Sequence, residues 1–414
     1  MMSRDTRQLS LSGRATEAAS PIDRSRESSH DLPPLRAFGL FAGIGGIEKG
    51  LGSSGHEAIG LCEIDDGAIS VLEKHFPGTA LFQDICKLRS IPRGVDLVTA
   101  GFPCQDLSQA GQTAGISGAR SGLVGHVFRL LEKRRVPWVL IENVPFMLRL
   151  GRGRALQVIV GELERLGYRW AYRVVDTLAF GLPQRRERVF LLASREGDPR
   201  SVLLADESGE PPSRSPTRRR ALGFYWTEGV RGLGTAVGAV PTLKGGSSVG
   251  IPSPPAIMLP SGRVVTPDIR DAERLQGFEA DWTLPAQSGG RRAGYRWKLV
   301  GNAVTVDVAQ WIGLRLRSPA PYDSSWDAPL SQGSPWPNAA WSDGSRRYAA
   351  HVSTRPMAVA GPPIDKFLRF EKRDLSARAT AGFLGRLRSS SLRRPAWFEP
   401  VLENHLARMV SRER

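Results

Sequence analysis

From Leu35 onward, short apolar runs alternate with stretches of helical spacing, and Gly, Pro or a polar cluster marks each change. Residues 36–41, 58–62, 80–82, 95–99 and 138–141 read as buried strands. Between them, residues 44–50, 66–74 and 122–134 repeat apolar positions at helical intervals, the last ending in basic residues that suit a helix C-terminus. Residues 156–166 continue as a helix, and 168–176 and 189–192 as further strands. Strands alternating with helices predict an α/β fold built on a doubly wound, mostly parallel sheet.

After Ser194 the pattern changes. Residues 198–220 are rich in Pro, Ser, Glu and Arg and read as a linker or surface excursion. Residues 221–265 carry Gly, Pro, Ser and Thr with short β-like pieces, which predicts a small β-rich module. Helical spacing returns over 266–278, capped by Thr266 or Asp268, and over 303–316, opened by Gly301-Asn302. Past Pro319 the chain is Pro-, Ser- and Trp-rich to about Gly361. An amphipathic helix is expected within 392–409, with Trp397 and Phe398 packed in a core. Residues 1–33 have few apolar anchors and read as a disordered tail. No internal repeat is present.

Composition narrows the class. The 414 residues are 41% hydrophobic, enough for a substantial core in a soluble protein. No apolar run approaches the roughly 18–20 residues that span a bilayer, and the polar start has no signal-peptide core, so a cytoplasmic location without membrane contact is expected. Cys62, Cys86 and Cys104 show no CxxC spacing and the six histidines no HExxH, so neither a disulfide framework nor a metal site is expected. The net charge of +16 is compatible with a polyanionic partner such as nucleic acid.

The chemistry concentrates at strand ends. Phe41-Ala-Gly-Ile-Gly-Gly46 joins a strand to a helix, where glycines let the backbone approach a ligand closely. Glu63, 20 positions after Gly43, can accept hydrogen bonds from ribose hydroxyls, and Asp84 at the next strand end from an adenine amino group. Together they describe an adenosine pocket. Cys104 follows the fourth strand in Ala100-Gly-Phe-Pro-Cys-Gln-Asp-Leu-Ser108, and Glu142 follows the fifth in Ile141-Glu-Asn-Val144. A thiolate can attack C6 of cytosine once an acid hydrogen-bonds or protonates N3, and a buried Glu142 is the candidate acid. In Gln184-Arg-Arg-Glu-Arg188, alternation puts Arg186 and Arg188 on one side of an extended segment and Arg185 and Glu187 on the other.

In their order and spacing these stretches, with Glu273-Arg-Leu-Gln-Gly-Phe278 and Gly301-Asn-Ala-Val304, resemble the DNA cytosine-5 methyltransferase family over residues 35–316. The resemblance implies a Rossmann-like, S-adenosylmethionine-dependent methyltransferase fold with a smaller β-rich target-recognition domain. It implies that Cys104 is the nucleophile, Glu142 the group at N3 and the exocyclic amine, Arg188 the group at O2, and Arg186 a support of that pocket. By the same resemblance Phe41, Ala42, Gly43, Ile44, Gly45, Gly46, Glu63, Ile64, Asp84, Ile85, Pro103, Asn302 and Ala303 contact the methyl donor, and Ser108 touches DNA near the extruded base.

The implied organisation is a tail at 1–33, a catalytic domain at 34–195, a target-recognition region at 196–265, return helices at 266–318 and an extension without assigned role at 319–414. The implied partner is double-stranded DNA, bound by a monomer in a bacterial cytoplasm, with a cognate restriction endonuclease acting separately. Three rival readings differ in kind. An RNA cytosine-5 methyltransferase of related sequence would tend to carry Cys-Phe-Thr before the Glu273 motif, and none occurs here. A catalytically silent DNA-binding regulator would not need Cys104, Glu142 and Arg188 intact. A dinucleotide oxidoreductase would carry a different glycine spacing and bind NAD.

Overall fold

The computed structural model describes residues 31–103, 122–211, 215–230, 232–246, 253–287, 294–331 and 333–413. Strands β1 (Arg36–Leu40), β2 (Glu57–Cys62), β3 (Ala80–Phe82), β4 (Leu97–Ala100) and β5 (Trp138–Asn143) are parallel. They lie in the order β3-β2-β1-β4-β5, so the winding reverses between β1 and β4. In such sheets ligands bind beyond the carboxyl ends at that reversal. The expected doubly wound sheet is present.

Helices α1 (Gly46–Ser53), α2 (Asp66–His75), α3 (Leu123–Lys133) and α4 (Arg154–Arg165) connect or flank these strands. Next come β6 (Arg169–Asp176), the two-residue β7 (Gln184–Arg185) and β8 (Glu187–Ser194). β8 runs antiparallel between β5 and β6 and makes the sheet mixed. Both faces of the central strands are buried, which is why these strands read as continuous apolar runs. Phe38, Leu40 and Val98 pack with Val127 and Leu131 of α3 and Ile159 of α4 on one face. Ala37, Leu97 and Leu140 pack with Ile47 and Leu51 of α1 on the other.

A second sheet holds β9 (Leu222–Phe224), β10 (Ala236–Val237), β12 (Ala256–Met258) and β13 (Val264–Thr266), while β11 (Val240–Pro241) pairs in parallel with β7 and ties the two units together. Helices α5 (Ile269–Leu275), α6 (Tyr295–Asn302) and α7 (Val306–Arg317) then return the chain to the large sheet. Asp268 caps α5 by accepting from Arg270 N. The helix expected from Ala303 begins instead at Val306, because Gly301 and Asn302 close α6 and Ala303 is extended at φ −65° and ψ 150°.

The last hundred residues serve both sheets. β14 (Ala328–Pro329), β15 (Ala339–Ser342) and β16 (Arg347–Ala349) follow α7, and β15 pairs antiparallel with β6 to bring the large sheet to ten strands. The chain then crosses to the small sheet, where β17 (Arg373–Asp374) pairs with β13. Helices α8 (Ala377–Arg388) and α9 (Phe398–Glu413) bury Phe383, Leu387, Phe398 and Leu402 against Phe224, Met258 and Val264.

Candidate active site

The turn after β1 is built under constraint. Phe41 has φ 57°, a left-handed conformation that costs a non-glycine residue about 1–3 kcal/mol and is held by its surroundings. Gly43 follows at φ 56°, and a Cβ there would meet nothing within 4 Å, so this turn leaves open space in front of it. At Gly46 a Cβ would lie 2.4 Å from Val304 O, so only glycine lets α1 begin against the chain entering α7. Glu63 fastens the same turn: its carboxylate accepts from Gly43 N at 2.7 Å, Asp65 N at 2.8 Å and Ile64 N at 2.9 Å. The Ile64 side chain is 72% exposed, whereas Ile85 and Ile44 are buried in cores. Asp84 stands half-buried beyond β3, and the Cys86 amide, donating at 2.8 Å, holds its carboxyl below the ordinary value.

A cavity of about 40 Å³ opens at the winding reversal, lined by residues 40–43, Gly46, Ile47, Glu48, Gly101, Glu142 and residues 302–304. Of the residues singled out in the sequence, Phe41, Ala42, Gly43, Gly46, Glu142, Asn302 and Ala303 therefore come together here. A larger cleft of about 800 Å³, bordered by Arg185, Arg219, Arg220 and Arg355, lies where residues 178–185, 219–221 and 355–363 meet. None of the carboxylates named for the pocket faces it.

Glu142, at the end of β5, is buried, and Arg188 Nε lies 3.2 Å from its Oε1. Burial pushes the Glu142 carboxyl above its ordinary value, while Arg188 and Arg186 oppose that rise. Arg188 Nη1 also donates to Glu187 O at 2.7 Å, which fixes the guanidinium beside the carboxyl. Because β4 and β5 are paired with Ala100 opposite Ile141, the chain leaving β4 runs alongside Glu142. Asn143 secures it: Nδ2 donates to Phe102 O at 3.0 Å while Oδ1 accepts from Val144 N at 2.9 Å. Pro103, exposed, is the last residue described there; Cys104 and Ser108 lie outside the described residues.

Arg186 is placed differently from Arg188. Its guanidinium is 1% exposed and donates to the carbonyls of Leu243, Gly301 and Ala303, at 2.6 Å for the last. It grips the α6–α7 junction from behind rather than lining the cavity, and burial pushes its pKa well down. Around it runs a buried polar network that motif reading missed. Gln184 Nε2 donates to Leu275 O and to Gln276 Oε1; Gln276 Nε2 donates to Val300 O; Thr305 Oγ1 donates to Gln276 Oε1. Glu273, fully buried, accepts from Asp281 N at 2.6 Å and from Arg296 Nη2 at 2.8 Å. The available signal was the recurrence of amide and carboxylate side chains inside otherwise apolar segments. Most polar groups buried there are paired, Arg186 Nε being one that has no partner among the described residues.

Comparison with known proteins adds an independent line. A family model described as C-5 cytosine-specific DNA methylase matches residues 35–233. The Type II methyltransferase M2.BsuMI of Bacillus subtilis (strain 168) is 50% identical over 363 residues, covering 85% of this chain and 93% of that protein. The Type II methyltransferase M.DsaV of Dactylococcopsis salina is 29% identical over 315 residues, covering 69% and 86%. Among solved structures, the S. pombe Dnmt2 methyltransferase gives a TM-score of 0.50 at 16% identity, covering 68% of this chain and 98% of that one. The Entamoeba histolytica methyltransferase EhMeth gives 0.51 at 15%, covering 69% and 98%. These two likenesses bear on the fold.

Proposed function

Because the chain belongs to the C-5 cytosine-specific DNA methylase family and is a DNA (cytosine-5-)-methyltransferase, we propose that it methylates C5 of a cytosine flipped out of one short DNA sequence, through an adduct of Cys104 with C6. S-adenosylmethionine, when bound, supplies an electrophilic methyl group. The residues present suit it: the open glycine turn at Gly43 and the cavity closed by Asn302 and Ala303 can receive the reacting end. At about 40 Å³ that cavity admits only a few heavy atoms, so the nucleoside would lie outside it, toward Glu63, Ile64, Asp84 and Ile85.

The observation that carries the reading is Glu142, buried beside Arg188 and facing the same cavity as Phe41, Gly43 and Asn302. With its proton affinity raised by burial against the pull of Arg188 and Arg186, Glu142 can share a proton with cytosine N3 and withdraw electron density from the ring. Arg188 can hold O2 by charge. The Cys104 thiolate then bonds to C6, and the electron pair displaced onto C5 makes that carbon nucleophilic. Once C5 has bonded to the methyl group, loss of the C5 proton and of Cys104 restores the aromatic ring. C6 is unreachable in a stacked duplex, so the base must be extruded. Asn143 and Arg186 act as positioning residues, the first on the strand leading to Cys104, the second on the Gly301–Ala303 junction.

The small sheet with residues 196–265 is the proposed target-recognition unit, and its compactness suggests a short site. Basic residues elsewhere would position DNA through phosphates without specifying sequence. A monomer acting on DNA in a bacterial cytoplasm, with any endonuclease separate, completes the reading. Among the described residues no helix is long and apolar enough to cross a membrane. Base-resolution 5-methylcytosine mapping in a methylation-free host tests all of this. Methylation at one short sequence, absent with Cys104→Ser, is expected. No methylation from soluble protein that binds the donor would overturn the proposal in favour of an RNA substrate or a silent regulator.

A further inference from the structure

The cavity holds a second carboxyl that the mechanism above does not use. Glu48, in the first turn of α1, is 3% exposed. Thr99 Oγ1 donates to its Oε1 at 2.9 Å, whereas its Oε2 is buried with no hydrogen-bond partner among the described residues. Space for the carboxyl is made at β1: a Cβ on Gly39 would stand 2.5 Å from Oε1. Glu48 shares the cavity wall with Phe41, Gly43, Glu142 and Asn302.

A carboxyl held only by neutral donors, the Thr99 hydroxyl and its own backbone amide, lacks the compensation that buried charges ordinarily have. Burial raises it to about 7, with the like charge of Glu63 adding to the rise and the Thr99 hydrogen bond opposing it. No side-chain cation pairs with it among the described residues. Its neighbour Lys49 is engaged with Glu279 at 2.9 Å, and Arg188 with Glu142. Gly39 on β1 and Ala303 and Val304 at the entry to α7 bring no charge, and Asp307 on α7 brings another acid. Among its described residues the cavity wall therefore has a carboxylate to offer and no cation of its own to meet it.

We propose that Glu48 is a specificity-determining residue that distinguishes the charged methyl donor from its neutral product, its carboxylate serving as counter-charge to the sulfonium of S-adenosylmethionine. The inference rests on the donor assignment made above. Methyl transfer turns the sulfonium into the thioether of S-adenosylhomocysteine, and the positive charge leaves as the C5 proton. Facing a neutral sulfur, Glu48 can regain a proton from solvent, and charge no longer holds the product. The same residue thus favours donor binding and product exchange.

Isothermal titration of the full-length protein with S-adenosylmethionine and with S-adenosylhomocysteine, at pH 6 and pH 8, tests this. In the wild type the preference for the donor should rise by about tenfold over that range, the factor one pKa unit of linkage corresponds to. Glu48→Gln should bind the donor about tenfold more weakly at pH 8, bind the product unchanged, and show no such rise. Product binding also reports that the variant is folded. Glu142→Gln, which removes the other carboxyl of the cavity, should keep the wild-type pH dependence. Equal loss of both ligands in Glu48→Gln, or a rise that disappears with Glu142 instead, would overturn the proposal. Wild-type protein that binds neither ligand would overturn the donor assignment itself, and this inference with it.

Discussion

The buried Glu48 carboxyl makes a stability prediction that needs no ligand. Its value stands at about 7 in the folded protein against an ordinary 4.5, chiefly through burial. The folded state holds this proton more tightly than the unfolded state, so the stability linked to it is complete below pH 4.5. It is lost as pH rises to 7 and beyond. At 1.36 kcal/mol per unit, the loss across that window is about 3 kcal/mol.

Glu48→Gln removes the titration but introduces an amide whose N–H groups need acceptors, at a cost of about 1–3 kcal/mol if unmet. The informative quantity is therefore the difference between the two proteins as pH changes. Asp176, raised to about 6, and Glu142, also raised, titrate in the same direction in both proteins and cancel in that difference. Urea unfolding of the apo-protein at pH 5 and pH 8 should show the wild type losing about 2.5 kcal/mol more than the variant, since at pH 5 the unfolded carboxyl is already mostly ionised. Parallel losses would refute the claim that this carboxyl is buried and unpaired.

Three further outcomes follow from the site and the small sheet. Glu142→Gln should lower single-turnover methylation by about 10²–10³-fold with donor affinity within a few-fold, and unchanged turnover would remove Glu142 from the N3 role. Arg186→Met leaves the carbonyls of Leu243, Gly301 and Ala303 without their charged donor. Urea midpoints should register a loss of about 1–3 kcal/mol for each carbonyl left unmet, and donor binding should weaken as the Gly301–Ala303 junction loosens. Full stability would mean that the guanidinium has no structural part there. Phe398→Ala, which empties a fully buried position whose ring centre is 5.2 Å from that of Phe224, should cost about 3–5 kcal/mol in thermal or urea melts. A loss under 1 kcal/mol would show that α9 is not integral to the small sheet.

Legibility in the sequence followed the range of the interactions involved. Strands such as β1, β4 and β5 were readable because burial on both faces leaves an uninterrupted apolar run between polar turns. Phe41 to Gly46 and Glu142 were readable because their chemistry lies in residue type at a strand end. The pairing of β15 with β6 was not, since four residues bounded by Pro, Ser and Trp carry no mark of a partner some 170 positions away. Nor was β17, two residues long and stabilised by a sheet formed more than a hundred positions earlier. Alternation set Arg186 and Arg188 on one side of the chain. It could not say that carbonyls of a later helix end would await the first and a carboxylate the second.

The same distinction separates the two acids of the cavity. Glu142 stands at the end of a strand, where an acid interrupts an apolar run and draws attention to itself. Glu48 stands in the first turn of a helix, where an acid is ordinary because it complements the helix dipole. What makes it unusual is three-dimensional: Gly39 beneath it, Thr99 beside it and no cation within reach among the described residues. A carboxyl chosen only for the dipole would sit at the surface, where it keeps its hydration and costs little. One turned inward against the sheet, at the wall of the reacting cavity, is retained for an interaction that hydration would weaken, and a bound cation meets that requirement.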